Sequence, residues 1–529
     1  MDVSEQEQEL QTILSDTFCF YNDPTKRYIL KLNNSALIIT LLLNNNRQDK
    51  NYQNLNVNGN DDEQRITNMP ATLSSSTLVI STDDIYGCLC MRSKKQESQD
   101  CHLTIYLYSS TKKTFRQTMQ RSSKTYTYQK YADFNQNYVE MMKWHESIRR
   151  IIDLKKNIPR DLVPKRAKRT LVFINPAGGA GKAYKLFMEH VAGIFFEAEM
   201  PYHVITTGNH AGHARDCVQS MNLNDWYGII LASGDGLVYE VINGLLSRPD
   251  WLQALQLPIG HLPCGSGNAL ITSILRCSKQ IPMVSLEEFV IQAAVLITTH
   301  NVVPMDMAII DTIDGQRLFS FLSVEWATIA DVDFESEKYR FLGETRFTIE
   351  VLKHILHPRV YDGYIDYLPY ENSDSSTTIS NNYSSISSIN QLQRHLFPLN
   401  EEIKIDDNSK WRRINGPFLH VLITSKPCIS KDVISAKQST LADGYLTLQY
   451  VRSGVSRVNL AKMFIGISTG KHFDYNFVEW LPMKAFRIVP NATEGNIMVD
   501  GEKVPYGPIQ GEVLPNIARC MGKLPNDQR

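Results

Sequence analysis

The stretch that decides the fold of this chain is WYGIILASGDGLVYEVINGLL, residues 226–246. An apolar run typical of a buried strand passes through the turn Gly234-Asp235-Gly236 into a segment whose apolar residues recur at helical spacing. The two glycines leave room around the carboxylate at the tip of the strand. Asp235 either caps the helix that follows, which is the usual role of an Asp-Gly turn, or it faces a ligand.

The segments around this stretch alternate in the same way. Strand-like runs lie at 170–175 (TLVFIN) and 202–207 (YHVITT), and helical patterns lie at 182–199 and 213–221. Repeated strand-helix-strand units predict a parallel sheet with helices on both faces. Ligands of such sheets bind at the carboxyl ends of the strands, which is where the glycine-rich turns of this region fall.

Two more glycine-rich turns follow strands, NPAGGAGKA at 175–183 and LPCGSGNAL at 262–270. Glycines let backbone N–H groups approach an anion, and the start of the next helix adds partial positive charge. The first turn is not a Walker A loop, because Pro176 and Ala183 stand where that motif needs glycine and Ser or Thr. A tight structural turn explains any one of them, but the three together predict a nucleotide pocket.

The composition limits the class of protein. The chain has 529 residues, 43% hydrophobic and 21% charged, with a formal net charge of -1. These values predict roughly two to four soluble domains and no global field that recruits nucleic acid. Nine scattered cysteines form neither a metal knuckle nor a disulfide framework. The polar N-terminus and the short apolar run at 36–43 lead us to expect a cytoplasmic protein, recruited only peripherally to membranes.

The rest of the chain is divided by changes in composition. Residues 28–110 hold short strand-like runs, and a helical pattern at 137–154 predicts that a helix closes a compact α+β module. The Asn-rich segment 44–64 and the Ser/Asn-rich segment 371–390 are expected to be disordered. A basic linker, KRAKR at 165–169, is either solvated or in contact with anionic lipid.

The three glycine-rich motifs, with SGDGLVYEVINGLLSRPDW as the central one, resemble the conserved blocks of the diacylglycerol kinase catalytic superfamily. Within it, SFLSVEWATIADVDFESEKYRFLGETRFT at 320–348 is similar to the sphingosine kinases, as are the segments 442–460 and 499–515. The resemblance covers roughly residues 168–520. Its length and number of motifs exclude chance similarity.

The resemblance implies an α/β nucleotide-binding domain of the NAD kinase and diacylglycerol kinase type at 168–304, and a β-sandwich lipid-binding domain at 305–523. The α+β module at 1–160 resembles the pleckstrin-homology-like extension of larger sphingosine and ceramide kinases. The expected activity is ATP-dependent phosphorylation of the primary hydroxyl of sphingosine and related bases. ATP and Mg²⁺ are the implied cofactors, and a homodimer is possible.

The resemblance also implies roles for individual residues. Asp235 is expected to be the general base, Asp333 to bind the 2-amino group, Ser323 to contact the lipid, and Glu502 to hold Mg²⁺ through water. The residues expected at the nucleotide are Asn175, Gly178, Gly179, Gly181, Thr207, Ser233, Gly234, Gly236, Ser266, Gly267, Asn268, Arg340 and Arg346. The pattern alone would favour ion pairs for the two arginines, because they stand in or beside an acidic stretch.

Three functions stay open at this point. A sphingoid-base kinase needs a carboxylate at the lipid amine, because that amine is cationic near neutral pH. A ceramide or diacylglycerol kinase would keep the nucleotide motifs without that carboxylate. A catalytically silent lipid-binding scaffold would have no reason to retain Asp235 and Glu502.

Overall fold

The computed structural model describes residues 11–42, 77–95, 97–112, 117–156, 168–208, 210–342, 345–371, 392 and 395–523. The predicted loop 44–64, nearly all of the insert 371–390 and residues 165–167 lie outside them, as do the side chains of 340–342. The chain divides into two compact units. One comprises residues 1–156 and 197–199, and the other 157–196 and 200–529.

The first unit is a seven-stranded antiparallel sheet with one closing helix. The strands are β1 Leu14–Phe20, β2 Asp23–Leu32, β3 Ala36–Leu42, β4 Thr77–Ser81, β5 Ile85–Arg92, β6 Cys101–Lys112 and β7 Gln117–Tyr128, and the helix is α1 Phe134–Leu154. Their order in the sheet is β4-β3-β2-β1-β7-β6-β5. Trp144 on α1 meets Phe18 edge-on at 5.1 Å between ring centroids. The predicted sheet-rich module with a closing helix is confirmed, and its likeness to the pleckstrin-homology fold stays a prediction.

The second unit begins with a parallel sheet, as the alternating pattern predicted. Its strands are β8 Arg169–Ile174, β9 Tyr202–Thr206, β10 Trp226–Ser233 and β11 Ile259–Pro263, in the order β9-β8-β10-β11. Apart from its first residue, β8 is almost completely buried, and the last six residues of β10 are buried as well. Near-continuous apolar runs are typical of strands covered on both faces.

Most of the later strands of this unit form the β-sandwich, and β18 and β19 form a separate two-stranded sheet. The later strands are β12 Asn301–Asp311, β13 Arg317–Ser320, β14 Ser323–Ala327, β15 Gly363–Pro369, β16 Arg412–Asn415, β17 Phe418–Thr424, β18 Cys428–Ser430, β19 Val433–Ile434, β20 Leu446–Arg452, β21 Glu479–Pro490, β22 Ile497–Val499, β23 Glu502–Val504 and β24 Ile509–Gly522. Trp326, Phe418 and Phe486 lie in its core, and the first two rings are 5.6 Å apart.

Helices cover both parts of the second unit. They are α2 Gly178–Gly181, α3 Ala183–Leu186, α4 Ala192–Glu197, α5 His213–Ser220, α6 Asp235–Leu246, α7 Trp251–Ala254, α8 Ala269–Cys277, α9 Leu286–Thr298, α10 Thr328–Ser336, α11 Thr345–Leu356 and α12 Arg457–Gly466. A π turn, Phe187–Val191, joins α3 to α4, and a 3-10 segment, Glu337–Leu342, follows α10. Within the described residues, no helix combines the length and the apolar character needed to cross a bilayer.

The last strand joins the two parts of this unit. β24 pairs antiparallel with β12 and β21 in the sandwich, and Cys520 near its end pairs in parallel with Ile259 of β11. The parallel sheet and part of the sandwich are therefore one continuous sheet.

Candidate active site

The first glycine-rich turn starts where β8 ends. The Asn175 side chain accepts a hydrogen bond from Ala177 N at 3.0 Å, and its carbonyl accepts one from Gly178 N at 2.9 Å, so Asn175 holds the turn in shape. Thr207 follows β9 and donates its N–H to the Ile174 carbonyl at 2.9 Å. Asn175 and Thr207 therefore lie at the same carboxyl edge of the parallel sheet.

The three turns meet in space. A methyl group placed on Gly178 would lie 3.5 Å from Ser233 Oγ and 3.4 Å from the Cys264 carbonyl, so one residue of the first turn borders both of the others. The second and third turns touch through backbone atoms, because a methyl on Gly234 would lie 3.2 Å from Gly265 Cα. This close approach requires glycine at both positions.

Asp235 is the first residue of α6, but it does not cap that helix. The N-cap is Gly234, which makes no side-chain bond. The Asp235 carboxylate instead accepts hydrogen bonds from Ala269 N at 2.8 Å and Leu270 N at 3.2 Å, the first two N–H groups of α8. An ionised carboxylate offers about four acceptor positions, so these two bonds leave capacity for a substrate hydroxyl.

The third turn is closed by its own side chains and shaped around Asp235. Asn268 is buried, and its amide accepts from Gly265 N at 3.1 Å and donates to the Gly265 carbonyl at 2.7 Å. A methyl on Gly267 would come within 2.7 Å of Asp235 Oδ2. Ser266, between Gly265 and Gly267 in the chain, is half-buried.

A histidine that the sequence pattern did not indicate lies behind Asp235. His261, on β11, is fully buried, and its Nε2 lies 2.9 Å from the Ser233 carbonyl, which fixes Nε2 as the donor. Its Nδ1 lies 3.9 Å from Asp235 Oδ1 and has no hydrogen-bond partner among the described residues. Burial lowers the pKa of His261, so the imidazole next to the carboxylate is neutral at pH 7.

The part of the site at the start of β14 is organised by Asp500, which the sequence pattern also missed. Its carboxylate accepts bonds from Ser320 Oγ at 2.6 Å and from the backbone N–H groups of Phe321, Leu322 and Ser323 at 2.8, 3.0 and 2.9 Å. Burial raises the pKa of Asp500 to about 6. Four donors converging on one buried carboxyl hold the start of β14, and thus Ser323, in place.

A two-residue turn between β22 and β23 connects the predicted metal and lipid residues. Asp500 and Gly501 have φ of 51° and 82°, the pair of positive values that a tight hairpin requires. A methyl on Gly501 would lie 3.8 Å from Asp333 Oδ2, and a methyl on Gly236 would lie 3.9 Å from Glu502 Oε1. The turn therefore lies next to Asp333, the residue predicted to bind the lipid amine, on one side and next to the start of α6 on the other.

Of the two arginines predicted to bind phosphate, Arg346 is the one whose side chain the structure describes. Arg346 is 7% exposed, forms an ion pair with Glu337 and stacks on Phe347 at 4.5 Å from the ring centroid. It thus makes the ion pair that the acidic context indicated, although a buried one. To reach a phosphate it has to leave Glu337. The side chain of Arg340 lies outside the described residues.

Two further acids, Asp331 and Glu335, fix α10 to its surroundings. Asp331 is buried and accepts bonds from Arg359 at 2.6 Å, Tyr361 Oη at 2.5 Å and Asn496 at 2.8 Å. Glu335 pairs with Arg359 at 2.9 Å and with Lys353. Ligand atoms of Asp331, Glu335 and His354 lie within 4.8 Å of one another, but both carboxylates already have cationic partners, so we assign them a structural role.

A second acid that the sequence pattern did not indicate is Glu325 on β14. It is 6% exposed, and its Oε1 accepts a hydrogen bond from Ser323 Oγ at 3.1 Å. Burial, together with the charges of Asp333 and Asp500, raises the pKa of Glu325 well above its usual value. Its position in an otherwise apolar strand run, SVEWA, is the signal that could have found it.

Comparison with known proteins defines the class that this fold and site belong to. The diacylglycerol kinase catalytic domain family matches residues 169–310, and the YegS C-terminal NAD kinase beta sandwich-like domain matches residues 371–522. The protein is thus a lipid kinase of the diacylglycerol kinase type, with an α/β catalytic part and a β-sandwich.

Relatives narrow this class. The chain is 38% identical to sphingosine kinase 1 of Homo sapiens over 361 residues, and this alignment covers 68% of the chain and 91% of the relative. It is 27% identical over 557 residues to sphingosine kinase 2 of Homo sapiens, covering 83% and 84%. Sphingosine kinase 1 of Arabidopsis thaliana is 33% identical over 353 residues, covering 65% and 70%. The chain belongs to the sphingosine kinase family.

Proposed function

We propose that this protein transfers the terminal phosphate of ATP to the primary hydroxyl of sphingosine and related sphingoid bases, giving sphingosine 1-phosphate. Membership of the sphingosine kinase family supports both the ATP dependence and the substrate class. The observation that carries the residue assignment is the position of Asp235. It lies where three glycine-rich turns meet, and the turn 500–502 leads from there to a second carboxylate, Asp333.

The nucleotide binds over the three turns in this proposal. Backbone N–H groups of Gly234 and Ser266, with the start of α6, face the phosphates and stabilise their charge. Phosphoryl transfer needs positioning and charge neutralisation more than covalent chemistry, and this set of donors fits that requirement. Arg346 and Arg340 complete the phosphate contacts, Arg346 after it leaves Glu337.

Asp235 acts as the general base. As the primary hydroxyl oxygen forms its bond to the γ-phosphorus, the bond from that phosphorus to the ADP oxygen breaks and the hydroxyl proton passes to an Asp235 oxygen. The two backbone bonds from α8 keep the carboxylate in one orientation during this step. The neutral His261 lies behind it without forming an ion pair or a hydrogen bond with the carboxylate.

Magnesium completes the proposal. Glu502 is exposed, and its carboxylate lies beside the start of α6, so it offers the oxygen ligand that a hard cation prefers, directly or through water. When bound, Mg²⁺ neutralises charge on the phosphate oxygens.

Asp333 selects the lipid. Its carboxylate binds the cationic 2-amino group, which ceramide and diacylglycerol lack, and Ser323 contacts the same head group. The tail is expected to follow a groove lined by Thr328, Leu419, Leu460 and Met463, among others, which is nearly filled in this structure and has to widen to admit an alkyl chain. A carboxylate at this place favours the sphingoid-base kinase over the ceramide or diacylglycerol alternative.

Peripheral membrane contact is supported by apolar side chains beside this groove. On α11, Ile349, Leu352 and Leu356 are exposed along one face, and on α12 Ile465 is 78% exposed. Apolar residues on the solvent face of adjacent helices are typical of interfacial contact. We expect Ile465→Glu to weaken cosedimentation with anionic vesicles, whereas Ile281→Glu, at an 84% exposed site on another part of the unit, serves as the matched control.

Cytoplasmic localisation and a homodimer stay predictions. Imaging of the tagged full-length chain tests the first, and light scattering of the purified chain tests the second. Equal weakening of vesicle binding by Ile465→Glu and Ile281→Glu would contradict the membrane surface proposed here.

The function itself is tested with purified protein, Mg²⁺, labelled ATP and a panel of sphingosine, ceramide and diacylglycerol. We expect phosphate on sphingosine alone. Phosphate on ceramide or diacylglycerol would support the neighbouring kinase activity instead, and no transfer to any lipid would support the silent scaffold.

A further inference from the structure

Glu325 lies on the ligand side of the sandwich rather than in its core. Residues alternate faces along β14, so that Val324 and Trp326 belong to the sandwich core while Ser323, Glu325 and Ala327 point the other way. The helix α10, which carries Asp333, packs on this strand. Glu325 therefore shares a surface with both residues assigned to the lipid head group.

The neighbours of Glu325 keep water away from it. In register on the two adjacent strands are Leu422 of β17 and Met498 of β22. A carboxyl between two apolar side chains and close to the negative charge of Asp333 is more stable with its proton than without it. Its Oε1 already accepts from Ser323 Oγ, so the proton resides on Oε2 and makes that oxygen a hydrogen-bond donor.

A second polar group continues the same surface. Gln449 of β20 pairs in register with Leu422, is fully buried, and neither its amide oxygen nor its amide nitrogen has a hydrogen-bond partner among the described residues. Buried polar atoms in native proteins are almost always paired with protein, water or ligand. The row Glu325, Leu422 and Gln449 thus suits a ligand that carries hydroxyl groups as well as an apolar chain.

The direction of β14 orders these contacts along the lipid. Ser323 begins the strand, Glu325 is two residues or roughly 6–7 Å further on, and Thr328 at the next helix lines the tail groove. With the amine at Asp333, Glu325 lies beside the carbons that follow it toward the tail. A sphingoid base carries its secondary hydroxyls there.

We infer that Glu325 is a specificity-determining residue that donates a hydrogen bond to the C4 hydroxyl of the base, so that the enzyme prefers 4-hydroxylated bases. The inference rests on the proposed function. It names the substrate subclass that the same site favours.

The test compares phytosphingosine with dihydrosphingosine, which differ only in the C4 hydroxyl. For the unaltered enzyme we expect kcat/KM to be about tenfold or more higher for phytosphingosine, the value of one hydrogen bond in a buried site. Glu325→Ala should bring the ratio close to one. Glu325→Gln, which keeps a donor in the same place, should preserve most of it.

Glu512→Gln is the matched control, because Glu512 is another buried glutamate of the sandwich whose carboxylate bonds to His395 instead of facing the head group. For this variant the ratio of kcat/KM for phytosphingosine to kcat/KM for dihydrosphingosine should equal that of the unaltered enzyme. Thermal melting of each variant shows that it is folded.

Equal use of the two bases by the unaltered enzyme, or a ratio that Glu325→Ala leaves unchanged, overturns the inference while leaving the kinase assignment intact. Absence of transfer to either base removes the proposed function itself. Loss of the ratio in both Glu325→Ala and Glu325→Gln would show that an ionised carboxylate is needed, and it would overturn the donor role.

Discussion

The proposed nucleotide side and the proposed lipid side of the site are built in different ways. On the nucleotide side, Asp235 meets backbone groups 34 and 35 positions away, and each turn follows its own strand. On the lipid side, Asp500 organises residues 177 to 180 positions earlier in the chain. The first side follows from local glycine geometry, whereas the second forms only when the sandwich is complete. Substitutions on the two sides should therefore have separable effects.

Asp235→Asn tests the nucleotide side most directly, and its expected effect is the largest. Loss of the general base should lower kcat by about 10²–10⁴-fold while ATP affinity stays within a few fold. The asparagine oxygen can still accept from Ala269 N, but the amide nitrogen faces Leu270 N, so melting temperature should fall slightly. Single-turnover kinetics and ATP titration measure the two properties, and normal turnover would rule out Asp235 as the base.

Asp333→Asn tests the lipid side. Removing the charge that binds the amine should raise KM for sphingosine by about 10- to 100-fold, since hydrogen bonds to charged groups contribute about 1.5–3 kcal/mol. KM for ATP should stay near its original value. Steady-state kinetics with each substrate varied in turn measure both constants, and an unchanged sphingosine KM would remove the amine contact from the proposal.

A pair of glycine substitutions sharpens the description of the nucleotide turns. A methyl on Gly265 would overlap the Gly234 backbone, so Gly265→Ala should destabilise the fold by about 1–3 kcal/mol or more. Gly178→Ala is the comparison, because a methyl there meets its neighbours at ordinary contact distances of 3.4 Å or more. Denaturant unfolding of both variants gives the difference. Equal stability would mean that the turns do not touch.

The smallest effect concerns His420, on the ligand side of β17. Burial, aided by His472, lowers its pKa to about 3, whereas the unfolded chain binds a proton near pH 6.5. The unfolded state therefore binds more protons below pH 6.5, and stability falls as pH falls from there toward 3, by up to about 1.4 kcal/mol per pH unit. Substitution His420→Gln should reduce this slope, as denaturant unfolding at pH 7 and pH 5 can measure. An identical slope would mean that His420 takes up a proton in the folded state.

The sequence predicted those parts whose causes are local. The strands at 169–174, 202–206 and 226–233 follow from apolar runs, and the turns follow from their glycines. For Asp235 the sequence offered two roles, a cap of the helix that follows it or a carboxylate that faces a ligand. It did not indicate a third contact, in which the carboxylate caps the distant helix α8. That contact depends on how two turns pack, which a linear pattern does not contain.

The functional residues that the sequence pattern missed depend on partners that are distant in the chain. Asp500, Glu325 and His261 acquire their roles from strand register and burial, which the residues next to them in the chain do not reveal. The helix α11 shows the same limit. Of the apolar residues Phe347, Val351 and Ile355, which recur at helical spacing, only Ile355 is buried, whereas Arg346, Glu350 and His354 are buried too, two of them through ion pairs to Glu337 and Lys338.

The final strand has a consequence for how this enzyme is made. Because β24 is at once the neighbour of β11 and a central strand between β12 and β21, neither half can complete its hydrogen-bonded ladder before residues 509–522 leave the ribosome. Catalytic competence therefore depends on the synthesis and docking of this strand. Any premature stop codon upstream of this strand should yield a chain destined for proteolysis, with no partially active kinase.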